Sequence, residues 1–408
     1  MNCRFCKNEL TQEFVDLGFS PPSNAYLKAS DLNSPETFFP LKIMVCEKCF
    51  LVQIDEFAKH EDIFSADYAY FSSFSTSWLA HAKAYTQMMI KRFGYNAQSL
   101  VIEIASNDGY LLQYFRQQDV PVLGIEPTAN TAAAAKEKGI ESIVDFFGAQ
   151  LANSLAAKGI MADLLLGNNV LAHVPDINDF VAGLTILLKQ NGVITFEFPH
   201  LLQLIDKNQF DTIYHEHFSY LSLVAVKPIF EHHSLEIFDV EEVTTHGGSL
   251  RIFAKHKKDL SKKVSVNVAD MINKEISFGL GNLAVYKTYQ YKAEKVKNDF
   301  TQFLIQAKNE GKTVAGYGAA AKGNTLLNFA GTKKDLLQFV ADASPHKQNK
   351  FLPGVHIPVF DEQKIKTEKP NYVVILPWNL KDEISTQLAY IKDWGGKFVV
   401  AVPELKIF

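Results

Sequence analysis

The chain has 408 residues, with 41 Lys+Arg against 45 Asp+Glu and a formal net charge of −4. A hydrophobic fraction of 47%, with 31 Phe and 15 Tyr, supplies enough core material to exclude a disordered chain, and the length calls for two or three domains. Balanced charge offers no positive field to hold a nucleic-acid backbone, and no apolar run approaches the roughly 18 to 20 residues of a membrane span, so neither partner is expected. The start, "MNCRFCKNEL", has no apolar signal segment, and the chain reads as cytoplasmic and monomeric.

All four cysteines fall in two pairs, Cys3-x-x-Cys6 and Cys46-x-x-Cys49. Each C-x-x-C turn aims two thiolates at one centre, and two such turns complete a tetrahedral site suited to zinc. Two disulfides would need an oxidising compartment, and a redox pair would not need the second turn. Four thiolates leave no open coordination position, so the metal is expected to be structural and the chemistry to lie elsewhere.

From about residue 77, helix-period and strand-period segments alternate. "SWLAHAKAYTQMMIKRFG" reads as a helix from a Ser77 cap to Gly94; the buried-strand runs "LVIEIAS", "VLGIEP", "DLLLGNNV" and "VITFEFP" follow, separated by helices. That order predicts a doubly wound parallel α/β sheet, closed by an antiparallel hairpin of "LEIFDV" and "GGSLRIFAKH". The expected divisions are a zinc-binding domain over 1–70, this sheet domain over 71–258, a helical connecting arm over 259–310 and a second, smaller α/β domain over 311–408 that begins with "TVAGYGAAAKGNTLLNFAG".

Ligands of open parallel sheets bind beyond the carboxyl ends of the strands. The first strand exits through Glu103, Ala105, Asn107, Asp108 and Gly109. The small residues let a ligand approach the backbone, and Asn107 and Asp108 are placed to cap the next helix. The G-x-G-x-x-G of a dinucleotide site is absent, and the acids would repel phosphate. Glu126, closing the second strand, stands where an acid takes the two hydroxyls of a ribose. A positively charged nucleoside without phosphate fits both observations, and S-adenosylmethionine is that molecule; an acidic turn serving another ligand is the alternative.

"YHEHFSY", Tyr214 to Tyr220, concentrates two of the 12 histidines beyond the strand "ITFEFPH". Histidines at i and i+2 share a face only on an extended segment and lack the H-E-x-x-H spacing of a helical zinc site. An inert polar loop and a catalytic cluster both remain, and position on the same rim as Glu103, Glu126 and His173 favours catalysis. In "THGGSLR", His246 with Gly247 and Gly248 either brings backbone close to substrate or forms a β-bulge. In the last domain, the glycine-rich turn at Gly318 could receive a diphosphate at its helix start, with Lys322 and Asn324, supported by the basic loop of Lys347 and Lys350; tight helix-on-strand packing is the alternative.

"CRFC", "CEKCFLVQ", "YAYFSSFS", "EIASNDGYLL", "NNVLAHV", "YHEHFSYLS", "THGGSLR", "GYGAAAKGNTLLNF", "FLPGVHIPV" and "LPWN" occur in this order over essentially the whole chain. Together they resemble the S-adenosylmethionine-dependent sugar 3-C-methyltransferases of deoxysugar pathways. The resemblance implies a zinc-bearing N-terminal domain, a class I methyltransferase domain and a Rossmann-like C-terminal domain that helps hold a dTDP- or GDP-linked 4-keto-6-deoxyhexose. Ala105 departs from the glycine common in the family, adding one methyl at the cofactor's edge. Carried over, His217 looks like the base that removes the C3 proton to give an enolate, and Glu216 orients it or binds a sugar hydroxyl. Tyr214 and His173 then hydrogen-bond the sugar and the enolate, and Asn168 lines the cofactor. Tyr70 resembles a tyrosine placed over the sugar and the transferred methyl, with Tyr68 its competitor. The rivals are a nucleotide-sugar oxidoreductase or isomerase holding NAD(P) at "GYGAAAKGN", a non-catalytic nucleotide-sugar-binding protein, and an RNA methyltransferase, which the balanced charge disfavours.

Overall fold

The computed structural model describes residues 1–57 and 71–408; Tyr68 and Tyr70 lie outside the described residues. Two cysteine knuckles bracket β1 (Gln12–Ser20) and β2 (Phe39–Val45), and β3 (Val52–Ile54) follows the second knuckle. These three strands are antiparallel, and alternation in "FPLKIMV" turns Leu41, Ile43 and Val45 into a core.

The helix Thr76–Phe93 has its cap two residues before the expected Ser77: Ser75 is the cap, its hydroxyl accepting the Trp78 N–H at 3.3 Å. It stops at Gly94, whose φ of 72° is the left-handed end that glycine permits. The central sheet comprises β4 (Val101–Ile104), β5 (Val122–Ile125), β6 (Ser142–Ile143), β7 (Ala162–Asn168), β8 (Leu188–Pro199), β10 (Leu235–Val243) and β11 (Ser249–His256), in the order β10-β11-β8-β7-β4-β5-β6. β4 to β8 run parallel, and β11 enters antiparallel between β8 and β10. This is the class I methyltransferase sheet the sequence predicts, closed by the predicted hairpin. Successive residues serve opposite faces: Ile102 and Ile104 join one core with Phe180 and Ile229, while Val101 joins another with Tyr85 and Phe115. The short β9 (Ser219–Tyr220) belongs elsewhere, pairing with β3 as fourth strand of the N-terminal sheet.

Three helices, Val266–Phe278, Leu283–Lys287 and Tyr289–Asn309, lead to a second parallel sheet. Its strands are β12 (Val314–Tyr317), β13 (Val340–Ala341), β14 (Val359–Phe360), β15 (Tyr372–Ile375), β16 (Lys397–Val400) and the antiparallel β17 (Lys406–Ile407), in the order β14-β13-β12-β15-β16-β17. The arm is a packed element: Phe300, Phe303 and Leu304 share one core with Phe14 of β1, Phe210 and Val314 of β12, and Phe14 stacks on Tyr289 at 4.6 Å. No helix among the described residues is long and apolar enough to cross a membrane.

Candidate active site and zinc centre

The four cysteine sulfurs lie within 4.8 Å of one another, Cys3 to Cys49 at 3.6 Å and Cys6 to Cys46 at 3.5 Å. Zn–S bonds of about 2.3 Å in a tetrahedron place sulfurs about 3.8 Å apart, so the cluster fits zinc, and these separations are far beyond a disulfide bond. The knuckles match: Lys7 N–H donates to Cys3 O and Phe50 N–H to Cys46 O, with Lys7 and Phe50 both left-handed at φ 60° and 56°. Gln53 Nε2 donates to Cys3 Sγ at 3.3 Å, the outer hydrogen bond that steadies a metal thiolate. Zinc is structural here, because four thiolates saturate it. Between Cys3 and Cys6, the Arg4 guanidinium donates to Pro175 O at 2.6 Å and to Ile54 O, and lies 5.4 Å from the Phe218 ring. The knuckle is thereby tied to the methyltransferase domain and to the "YHEHF" turn.

At the exit of β4, Ala105, Asn107 and Gly109 all take positive φ (52°, 49° and 73°), so the chain turns sharply across the sheet edge. Glu126, buried at the end of β5, accepts the Asn107 N–H at 2.8 Å and the Thr128 N–H at 2.9 Å, one on each oxygen. The Thr128 hydroxyl also donates to the oxygen that takes the Thr128 N–H, so the other oxygen, Oε2, keeps a further lone pair for a ribose hydroxyl. Asn107 and Asp108 cap no helix: the next one, Leu112–Arg116, has Leu111 at its start. Instead Asn107 Oδ1 accepts Ser72 N–H at 2.9 Å, and Asp108 Oδ2 accepts Ser73 N–H at 3.3 Å and pairs with Lys138 at 3.0 Å, lacing residues 72–73 over the turn. Burial pushes the Glu103 carboxyl well above its ordinary value, Asp108 and Glu126 push it further, and the Tyr110 hydroxyl pulls back. Asn168 ends β7 with both amide atoms buried and unpartnered; Ser106 Oγ, Asp108 Oδ1 and Ser142 Oγ are likewise unpartnered. Orphaned polar groups clustered on a strand-end rim are what a polar cofactor would satisfy. Glu126, Asn107, Asp108 and Asn168 therefore fit S-adenosylmethionine, whose sulfonium supplies an electrophilic methyl.

"YHEHF" is a turn, closed by His217 N–H to Tyr214 O at 3.0 Å, so its two histidines diverge. His215 goes to the N-terminal domain, its Nε2 3.2 Å from Pro40 O and its ring against Phe39. His217 turns inward. Its Nδ1 donates to Thr212 O at 2.9 Å, which leaves the Nε2 lone pair to accept the Tyr214 hydroxyl at 2.9 Å. Burial first, then His173, hold His217 well below its ordinary pKa, so the imidazole is neutral. His173 closes the short helix after β7, 4.6 Å from His217 ring to ring, and burial pulls it down to about 4. Glu216 is buried, accepts Asn24 Nδ2 at 2.8 and 3.0 Å, and is pushed up to about 7, burial outweighing Asn24 and Lys347. The four groups assigned to this turn and its neighbour thus meet in one place. Among the described residues, the four cysteines are the one group of three or more His, Cys, Asp or Glu side chains close enough to share a metal ion.

"THGGS" makes neither a bulge nor a bare backbone wall for substrate. It is the turn between β10 and β11: a Cβ on Gly247 would sit 2.5 Å from Trp378, and one on Gly248 2.7 Å from Gln203. The irregularity of that hairpin lies between Ile237 and Asp239. His246, left-handed at φ 54°, accepts Asn169 Nδ2 at 2.6 Å. Burial takes it to about 4.

In the C-terminal domain, a Cβ on Gly318 would meet Pro377 at 2.5 Å, so this glycine makes room for protein. Asp342, after β13, accepts the Ala319 N–H at 2.7 Å and puts an acid at the entrance of the helix Ala321–Phe329. Lys347 Nζ donates to Ala319 O at 2.8 Å; half-buried Lys350 uses its carbonyl to accept Val359 N–H. Asn324 is buried with neither amide atom partnered, and Lys322 donates to Asn379 Oδ1 at 2.7 Å. Asn24, Asp211, Thr212, Asn169 and Trp378 escaped the reading of the sequence. Trp378 stands in the quoted "LPWN" and Asn169 in "NNVLAHV", but the others lie outside any local pattern.

The three parts of the chain match three family models: a zinc-binding domain over residues 3–64, a methyltransferase domain over 79–240 and a C-methyltransferase C-terminal domain over 244–403. C-methyltransferase NovU of Streptomyces niveus is 34% identical over 405 residues, covering 99% of this chain and 96% of that protein. Ubiquinone biosynthesis O-methyltransferase of Bartonella quintana is 27% identical over 95 residues, 23% of this chain and 38% of that one. Among solved structures, magnesium protoporphyrin IX methyltransferase from Synechocystis with bound S-adenosylmethionine is 14% identical with a TM-score of 0.33, over 43% of this chain and 78% of that one. A methyltransferase from Anabaena variabilis gives 17% and 0.36 over 44% of this chain and 86% of its own.

Proposed function

Because this chain belongs to the C-methyltransferase family, we propose that it methylates C3 of a nucleoside-diphosphate 4-keto-6-deoxyhexose, dTDP- or GDP-linked, through an enolate. The observation that carries the reading is His217: neutral, held by Thr212 O in the tautomer that exposes Nε2, and paired there with the Tyr214 hydroxyl. A carbon next to a ketone is acidified because the carbanion's charge moves to oxygen, and its proton needs a neutral base near its own working pH. His217 Nε2 takes that proton, directly or through the Tyr214 oxygen. Glu216, steadied by Asn24, binds a sugar hydroxyl. The rim of Glu126, Asn107, Asp108 and Asn168 holds S-adenosylmethionine so that its methyl meets the carbanion face. The division of labour proposed for the chain is zinc-binding 1–70, methyltransferase 71–258, arm 259–310 and sugar-nucleotide binding 311–408.

The oxidoreductase reading is disfavoured by the glycine-rich turn: Pro377 fills the space at Gly318, and Asp342 takes the Ala319 N–H where a pyrophosphate would want one. The test is a mass-spectrometric screen of the protein with S-adenosylmethionine and dTDP- and GDP-linked 4-keto-6-deoxysugars. A gain of one methyl with stoichiometric S-adenosylhomocysteine is expected. Cofactor binding without methylation of any sugar would refute the substrate class.

A further inference from the structure

Lys322 opens the C-terminal helix Ala321–Phe329, where a diphosphate contact would be its ordinary employment, yet it faces the other way. Among the described residues its hydrogen bond goes to Asn379, and its ammonium lies 4.7 Å from the centre of the Trp378 ring, making no ion pair. The same indole donates from Nε1 to Asp211 Oδ2 at 2.7 Å, and its outer edge presses on Gly247, beside His246. Asp211 is fully buried and adjoins Thr212, the residue that fixes the His217 tautomer. The Trp378 ring that carries the ammonium thus touches both the segment Asp211–Thr212 that holds His217 and the turn Gly247 that adjoins His246, and the Lys322 charge is felt at Asp211, His217 and His246. Those histidines are neutral. Around the group that must stabilise a developing oxyanion stand imidazoles without charge, with the half-buried Lys322 ammonium on the side of Trp378 and Lys347 on the side of Glu216.

Resting on the function proposed above, we propose that Lys322 is a further catalytic residue, its ammonium hydrogen-bonding the C4 oxygen as the enolate forms. Asp211, acting through the Trp378 indole and through its charge, is its positioning residue. An ammonium that gives one hydrogen bond among the described residues, oriented by an amide and an aromatic face, costs little reorganisation when charge appears on the ligand. In the step, the C3–H bond breaks with its proton passing to the His217 base, the electron pair moves into C3–C4, and the carbonyl π pair settles on the oxygen that Lys322 contacts. On methyl transfer the oxygen pair would re-form the C4 carbonyl, the C3–C4 π pair would form the new C3–methyl bond, and the methyl–sulfur bond would break with its pair going to sulfur, S-adenosylhomocysteine leaving.

The experiment separates proton transfer from methyl transfer. C3–H exchange in deuterated water is followed by NMR without S-adenosylmethionine, and methylation by mass spectrometry, using whichever sugar of the screen the wild-type protein turns over. Lys322→Met is expected to slow both by roughly 10^2-fold with KM changed less than about threefold. Lys322→Ala should recover part of the exchange rate on addition of ethylammonium, which a structural role would not allow. Asp211→Asn should lower kcat about tenfold with unchanged affinity for free dTDP or GDP. A raised KM and weakened binding of the free nucleotide with kcat intact would return Lys322 to the diphosphate and overturn the proposal. Exchange at the wild-type rate in Lys322→Met would overturn it too. A wild-type protein that neither exchanges nor methylates any sugar would refute the functional reading itself, and this one with it.

Discussion

Replacing His217 by alanine removes two things at once: the Nε2 that accepts Tyr214 and the Nδ1–H that satisfies the Thr212 carbonyl. General-base catalysis is worth roughly 10^2- to 10^4-fold, which at about 1.36 kcal/mol per decade is about 2.7 to 5.4 kcal/mol of barrier. Leaving a buried carbonyl without its donor adds a stability cost of about 1 to 3 kcal/mol, small enough for the chain to stay folded and read as a lower melting temperature. The cofactor rim should be untouched, since Glu126, Asn107 and Asp108 make their hydrogen bonds with Thr128, Ser72, Ser73 and Lys138 and none with His217. Calorimetric binding of S-adenosylhomocysteine is therefore expected to match the wild type, while C3–H exchange and methylation fall together by 10^2-fold or more. Tyr214→Phe separates the partners: if the base acts directly the loss is about tenfold, and if the proton passes through the phenol it equals that of His217→Ala. Methylation by His217→Ala within about fivefold of wild type, in protein that melts cooperatively, would refute the assignment of the base.

Cys46→Ser should lose zinc, read by elemental analysis, and unfold at lower temperature before any change in chemistry, because a structural zinc supplies about 10 to 16 kcal/mol to isolated fingers. Glu216 is raised to about 7 from 4.5, so folding favours its protonated form: that stabilisation is full below pH 4.5 and is lost as pH rises through 7. Glu216→Gln should therefore melt higher than wild type above pH 7, by up to about 3 kcal/mol, and a lower midpoint there would refute the burial argument. Activity should show an acid limb near pH 7 that Glu216→Gln abolishes and Asn24→Ala, which removes the donor favouring the carboxylate, moves to higher pH. A limb unchanged in Glu216→Gln would assign it to another group.

The central sheet was legible because strands buried on both faces, such as "LVIEIAS" and "VITFEFP", read as apolar runs whatever surrounds them. Cys3, Cys6, Cys46 and Cys49 were legible because a four-sulfur site is written in spacing. What the sequence could not announce is anything decided between segments. Residues 214–217 carry histidines whose directions the sequence leaves open, and the turn they make sends His215 to Pro40 and His217 to Thr212. Asp108 looks like a helix cap, but Lys138 and Ser73 compete for its carboxylate and the helix starts three residues late. Gly318 and Gly247 look like ligand-facing glycines, yet Pro377 and Trp378 occupy their missing side chains. Lys322 and Lys347 have the spacing of phosphate ligands, and only tertiary packing shows which way each ammonium turns.

The loop 210–220 explains why three domains are needed for one small pocket. Its own elements are too short to fix it: a single turn of 3-10 helix at Phe210–Thr212 and two residues of β9. Beyond the bonds of His217 to Thr212 and Tyr214, it is held from outside. Trp378 binds Asp211, and the Thr325 hydroxyl donates to Ile213 O at 2.8 Å, both from the C-terminal domain. From the N-terminal domain, Pro40 takes His215, Asn24 takes Glu216, and β3 pairs with Ser219 and Tyr220. β3 in turn starts three residues beyond Cys49, and Arg4, inside the first knuckle, donates to Ile54 O at the end of β3. Zinc thus bears on the proposed base at a distance through the strand it anchors: it fixes β3, β3 pairs with β9, and β9 follows the turn that carries His217. A metal site saturated with thiolates is then an economical way to position the proposed base on a segment with almost no secondary structure of its own.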